Sequence, residues 1–170
     1  AELLREKGLA KAAKKAERVA SQGHVMAYIH GDPGRIGVLV EVNCETDFVA
    51  RTEGFRKLVH EVAMQIAATS PTYVGETDIP AEVLEGKRAA LVAQAHAEEA
   101  EARKPKPPEV LGRIVDGRMS KWLDETVLMR QHYIRDETHT QAFGQIITEA
   151  IAKIGENIVV RRFARFELGD

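Results

Sequence analysis

The sequence lacks most of what site chemistry requires. Cys44 is the single cysteine among 170 residues, which excludes an internal disulfide and a cysteine-rich metal site. Neither sign of charge dominates. The 24 basic and 26 acidic residues leave a net charge of -2, and dedicated nucleic-acid binders normally carry a clear basic excess. No apolar run approaches the roughly 20 residues of a membrane span, and no signal peptide is visible. A cytoplasmic location and the absence of a membrane partner are therefore expected. The six histidines are scattered. His60-Glu61 has the start of a zinc-protease helix, but the second ligand would fall at Met64, which cannot replace histidine there. Gly31, Gly34 and Gly37 lack a following Lys-Ser/Thr and lie between two predicted strands, so a hairpin turn accounts for them better than a phosphate loop. The serines have no local nucleophile setting. No enzyme active site is apparent, and neither an internal repeat nor a low-complexity tract occurs beyond the Ala-Glu run near Glu98.

What is present is a chain that can bury a core, at 44% hydrophobic residues, with a length fitting one domain or one domain with an appendage. Residues 2–20 read as an Ala-rich helix with Lys7, Lys11, Lys14, Lys15 and Arg18 close to one face. Strands are predicted at about 24–30 and 36–44, joined by the turn Gly31-Asp32-Pro33-Gly34-Arg35. In the second strand Ile36, Val38, Val40, Val42 and Cys44 alternate with Gly37, Leu39, Glu41 and Asn43, the period of a half-buried strand. Cys44 then counts as a small buried hydrophobe. Phe55, Leu58, Val59, Val62, Ala63, Ile66 and Ala67 follow helical spacing from about Thr52, and Pro71 ends that helix near Ser70.

Pro80 opens another helical stretch, to about Ala102. Arg103-Lys104-Pro105-Lys106-Pro107-Pro108 should be an extended link, and a further helix reaches about Thr126. The two helices are expected to form a projecting antiparallel pair, weakened locally by Gly86, Gly112 and Gly117. Phe143, Ile146, Ile147, Ala150, Ile151 and Ile154 give the last helical stripe, and Gly155 is a natural helix end. A third strand follows at about 157–167. The expected fold is α+β: a two-layer arrangement of a small three-stranded antiparallel sheet with helices on one face. An N-terminal helix and the projecting helix pair add to it.

At the joint between the second strand and its helix stands Thr46-Asp47-Phe48-Val49. Residue chemistry alone makes Asp47 or Thr46 the cap of the helix and Phe48 a core residue. A charge beside a large ring at a turn held by two rigid elements can also be presented to a partner. Both readings stay open on pattern alone.

The run Glu41-Val42-Asn43-Cys44-Glu45-Thr46-Asp47-Phe48-Val49-Ala50-Arg51 resembles, at all eleven positions, the signature of bacterial elongation factor Ts. Residues Leu4 to Ala16, Val115 to Trp122, Ile154 to Phe163 and Phe166 to Gly169 are similar to further stretches of that family. Where the family has a Gln-Pro-Phe run before its last helix, this chain has Gln131-His132-Tyr133. The resemblance implies a guanine-nucleotide exchange factor acting on elongation factor Tu, with no cofactor of its own and no bond-making chemistry. Its working turn would be Thr46, Asp47, Phe48 and Val49, with Asp47 and Phe48 entering beside the GTPase's magnesium and phosphate site. His30 and Gly31, in Tyr28-x-His30-Gly31, match an element implicated in partner contact, although pairing of His30 with turn backbone explains them as well.

The resemblance also divides the chain. Residues 1–22 would be a remnant of an N-terminal helical domain with its linker, in a chain that starts at Ala1 and is expected to be a fragment. Residues 23–170 would be the core, with the helix pair at about 80–127 as an insertion. A single core copy suggests a homodimer, through the open sheet edge or the exposed sheet face. The alternative reading is an RNA- or ribosome-binding module using the basic N-terminal helix with Arg161, Arg162 and Arg165, which otherwise form a solvated face. No direct nucleic-acid partner is expected on the preferred reading.

Overall fold

The alternation in β2 (Ile36–Cys44) decides the layer plan, because Val38, Val40, Val42 and Cys44 are all buried while Leu39 between them is exposed. The computed structural model describes residue 10, residues 12–101 and residues 107–170. In it β1 (Gln22–His30) and β3 (Ile158–Glu167) flank β2, both antiparallel, in the order β1-β2-β3. Gln22 stands opposite Cys44, and His30 opposite Ile36. The first strand begins two residues earlier than predicted and includes Gly23. A Cβ there would lie 2.2 Å from the Val42 carbonyl oxygen, so only glycine lets the strands approach at this point.

One short helical turn and one long helix follow β2. Asp47–Ala50 is a single helical turn, α1, and Glu53–Thr69 is α2. Thr52 caps α2 by accepting the Phe55 N–H on its hydroxyl, and Ser70 closes it in a left-handed conformation just before Pro71. The predicted stripe is the buried one: Phe55, Leu58, Val59, Val62, Ala63, Ile66 and Ala67 pack on the inner side of the sheet. Helix α5 (Phe143–Ile154) joins the same core through Phe143, Ile147 and Ile151. Each large side chain so buried contributes about 1.5–3 kcal/mol. The architecture is α+β, with helices on one face of a three-stranded antiparallel sheet.

A bulge shifts the β3 register. Glu41 pairs with Arg162 while the neighbouring Val42 pairs with Val160, so Arg161 is the extra residue. Ile158 and Val160 face inward before it, and Phe163 and Arg165 share that face after it. The expected solvated arginine face is therefore wrong for Arg165. Its side chain is 11% exposed, donates to the Ala67 carbonyl near the end of α2, and pairs with Glu167. Arginine satisfies helix-end carbonyls well. Arg162 does face outward, paired with Glu41 at 2.7 Å.

Helices α3 (Ala81–Ala100) and α4 (Pro108–Thr126) form the expected pair with a core of their own, built from Leu91, Ala95, Leu111, Val115 and Met119. Gly86, Gly112 and Gly117 do not interrupt them. Residues 103–106 of the predicted link lie outside the described residues, and Pro108 is the first residue of α4 rather than part of an extended run. A short parallel bridge between Tyr73 and Val127 closes the base of the pair. Arg130 reinforces that base through Glu76, Asp124 and Ser120.

The N-terminal helix departs from expectation at its end. Lys7 and Lys11 lie outside the described residues. Ala10, Ala12 and Ala13 are helical, but residues 14–17 form turns and the chain is no longer helical at Arg18. Helical propensity is overridden by tertiary hydrogen bonds. The Asn157 side chain donates to the Ala16 and Arg18 carbonyls, and Lys15 Nζ donates to the Gly155 carbonyl.

Candidate functional site

The strand-to-helix joint is built so that its apolar ring stays outside the core. Thr46, with extended backbone, is the cap of α1, and its hydroxyl accepts the Val49 N–H at 3.3 Å. Val49 and Ala50 turn inward and are buried, which anchors the turn. Phe48 is then directed outward and is 81% exposed. This corrects the reading of Phe48 as a core residue. The cap and the outward ring are compatible, because one helical turn places residues 48 and 49 on different sides.

Asp47 lies at the first helical position, where a carboxylate is favoured, and pairs with Arg51 at 2.9 Å across one turn. Both side chains are largely exposed, so the pair contributes little to stability, and the carboxylate remains accessible. Cys44 is fully buried directly beneath, donating its thiol to the Thr46 carbonyl. Burial, with the negative charge of Glu156 second, pushes that thiol above its usual value. It acts as a buried hydrophobe, as predicted.

Sequence reasoning missed the groups that hold this turn from behind. The Glu156 carboxylate, in the corner between α5 and β3, accepts the Glu45 and Thr46 N–H groups on one oxygen, each at 3.0 Å. Its other oxygen accepts the Thr46 hydroxyl at 2.6 Å. Glu45 returns the contact by accepting the Asn157 N–H at 2.7 Å. The partners are about 110 residues apart in the chain, and no local pattern announces them. The one available signal was that Glu45-Thr46 and Glu156-Asn157 both sit in runs that resemble the same family.

His30 and Gly31 lie elsewhere. β1 separates them from the Thr46 end of the sheet by roughly 25 Å at about 3.3 Å per residue, so the two candidate sets form two surfaces. His30 is exposed, and its Nδ1 is 2.8 Å from the Tyr28 hydroxyl. That contact replaces the expected one with turn backbone. Tyr28 also meets the edge of His60 on α2.

Several of the described basic residues of the RNA reading are engaged within the chain. Lys15 binds the Gly155 carbonyl, Arg18 pairs with Glu45, Arg162 with Glu41, and Arg165 is turned inward.

The chain matches the family model described as Elongation factor TS over residues 5–142. It is 57% identical over 169 residues to a protein named Elongation factor Ts from Caldanaerobacter subterraneus subsp. tengcongensis, covering 99% of this chain and 80% of that relative. The chain belongs to the elongation factor Ts family. Relatives of the same name are 54% identical in Moorella thermoacetica and 51% identical in Coprothermobacter proteolyticus, each covering 99% of this chain and about four fifths of the relative. The family is one of translation elongation factors. Among the described residues, no helix is long and apolar enough to cross a membrane.

Proposed function

We propose that this member of the elongation factor Ts family is a guanine-nucleotide exchange factor that binds elongation factor Tu carrying GDP and promotes GDP release. Asp47 and Phe48 are its working tip, Thr46 caps the turn, and Val49 roots it in the core. The observation that carries this reading is an 81% exposed phenylalanine on a four-residue helical turn capped by Thr46. A ring carried on a capped and anchored backbone turn loses less freedom on binding than one on a flexible loop. Its entry into an apolar slot of the partner contributes about 1.5–3 kcal/mol.

That energy favours a partner conformation in which magnesium and GDP are poorly held, while the Asp47 carboxylate brings negative charge toward the phosphate side. Coupling is reciprocal, so fresh nucleotide expels the exchanger in turn. No bond is made or broken, and the chain supplies no cofactor. The setting is the cytoplasm, where translation takes place. His30 and Gly31 serve as a second contact on the far end of the sheet.

The same reading divides the chain into an N-terminal linker at 1–22 and a core at 23–170, with the helix pair at about 80–127 as an insertion. It also includes a homodimer formed by the outer sheet face, where Val25, Ile29, Leu39 and Phe166 are exposed together. Apolar area of this kind marks an association surface. Sedimentation that finds only monomer at high concentration would remove the dimer.

The decisive experiment follows release of labelled GDP from elongation factor Tu with wild type, Phe48→Ala and Asp47→Ala. Both variants should retain their helical circular dichroism and release GDP more slowly. Wild-type rates in both would sink the assignment of the turn.

A further inference from the structure

We infer that Glu156 is a positioning residue for nucleotide exchange: it fixes the angle at which the Asp47-Phe48 turn leaves the sheet, although it touches no partner itself. The inference rests on the proposed role of that turn. The turn has only a four-residue helix of its own, too short to be stable by propagation. Its cap hydrogen bond is long, at 3.3 Å. What defines its direction is the Glu156 carboxylate, which gathers two consecutive N–H groups and the capping hydroxyl on its two oxygens. Hydrogen bonds to an ionised acceptor are the strong ones. The Thr46 hydroxyl donates to Glu156 while accepting from Val49, so one side chain transmits the position of the α5-β3 corner to the first turn of α1.

The corner is itself fixed. Gly155 ends α5 in a left-handed conformation, at φ 91°, and its carbonyl is held by Lys15. Asn157 N–H is taken by Glu45, and its amide side chain holds the Ala16 and Arg18 carbonyls. Three segments far apart in sequence thus meet at Glu156-Asn157: the end of the N-terminal segment, the joint after β2, and the corner itself. None of this is needed to bury the core, since Val49 and Ala50 are already anchored there. It is what a projecting ring requires if its energy is to be realised at one orientation.

The test is a double-mutant cycle read in GDP release from elongation factor Tu, with the maximum rate and the half-saturating concentration measured separately. Glu156→Ala should lower the maximum rate about fivefold or more and change the half-saturating concentration less than about twofold, because the turn acts as nucleotide leaves. Glu156→Gln keeps one carbonyl oxygen for the Glu45 and Thr46 N–H groups but turns a donor toward the Thr46 hydroxyl and removes the charge, so its rate should fall between those of wild type and Glu156→Ala. In the Phe48→Ala background, Glu156→Ala should add no further loss, since there is no ring left to aim.

A wild-type rate in Glu156→Ala, or losses that multiply in the double variant, would overturn the inference. So would a Glu156→Gln variant as slow as Glu156→Ala. If Glu156→Ala does not fold, Glu156→Asp, one methylene short of reaching the Glu45-Thr46 joint, enters the same cycle with the same outcomes. Phe48→Ala alone at the wild-type rate would instead remove the proposed function of the turn.

Discussion

The two ends of the sheet carry the two candidate contacts, and they are built differently. At the Cys44 end, the exposed ring of Phe48 stands on a turn that is capped, rooted in the core and held from behind by a carboxylate. At the Ile36 end, His30 is exposed and, among the described residues, is held by the hydroxyl and ring of Tyr28 on the same strand. An exposed apolar group that a fold fixes from several sides is suited to do work on a partner. A polar group with one local neighbour to hold it adapts to a partner instead. On the proposed function, the difference predicts which end carries most of the exchange energy.

The largest effect should separate the ends directly. Phe48→Ala should slow GDP release roughly tenfold to a hundredfold, the kinetic equivalent of losing about 1.5–3 kcal/mol. His30→Ala should change the rate by less than about threefold. Equal losses in both variants would break the comparison. Next, Gly23→Ala forces a Cβ against the Val42 carbonyl opposite the joint. It should cost about 1–3 kcal/mol of stability in urea unfolding and should loosen the Cys44 end before the Ile36 end in hydrogen exchange. Thr46→Ala removes the cap and one of the Glu156 bonds. A loss of about 1 kcal/mol is expected, with protection lost first at Val49.

The smallest effect depends on pH and lies in the loop around Asp136. Asp136 accepts from the Thr138 hydroxyl and from the N–H groups of Gln141, Thr138 and Thr140. The Thr138 hydroxyl bond, then the Gln141 N–H, hold its carboxyl far below the ordinary value of 3.8. A carboxyl depressed by folding contributes stability that is present above the unfolded value and lost as pH falls toward the folded one. Asp136→Asn should therefore be less stable than wild type at pH 7. That difference should hold down to about pH 4 and shrink below it, because wild type begins to lose its advantage at the unfolded value. A gap between the two proteins that is unchanged from about pH 7 to pH 3 would refute this account of the loop.

Much of the fold was legible because burial writes itself into local periods. β2 alternates, α2 and α5 carry apolar stripes, and each was placed within a residue or two of its observed bounds. The failures share one cause. Arg165 was misjudged because a bulge at Arg161 changes which β3 residues face inward, and a bulge leaves no period to read. The N-terminal helix was drawn too long because Asn157 and Lys15 make its terminal hydrogen bonds with distant partners. Helices α3 and α4 run unbroken through Gly86, Gly112 and Gly117, with an apolar seam of their own between them.

The candidate site was half legible. Thr46 as a cap follows from its type and place, whereas the outward direction of Phe48 does not, because an aromatic residue two positions past a cap reads equally well as core. By itself the sequence determined the strand, the helix, the joint between them and the family to which the chain belongs, since all of these rest on residues adjacent in the chain. Only the tertiary structure decided that Phe48 is exposed, that His30 lies on a separate surface, and that Glu156 holds the turn from behind. The Glu156 contact closes across about 110 residues of chain, where hydrogen-bond geometry selects the partner and local propensity has no say.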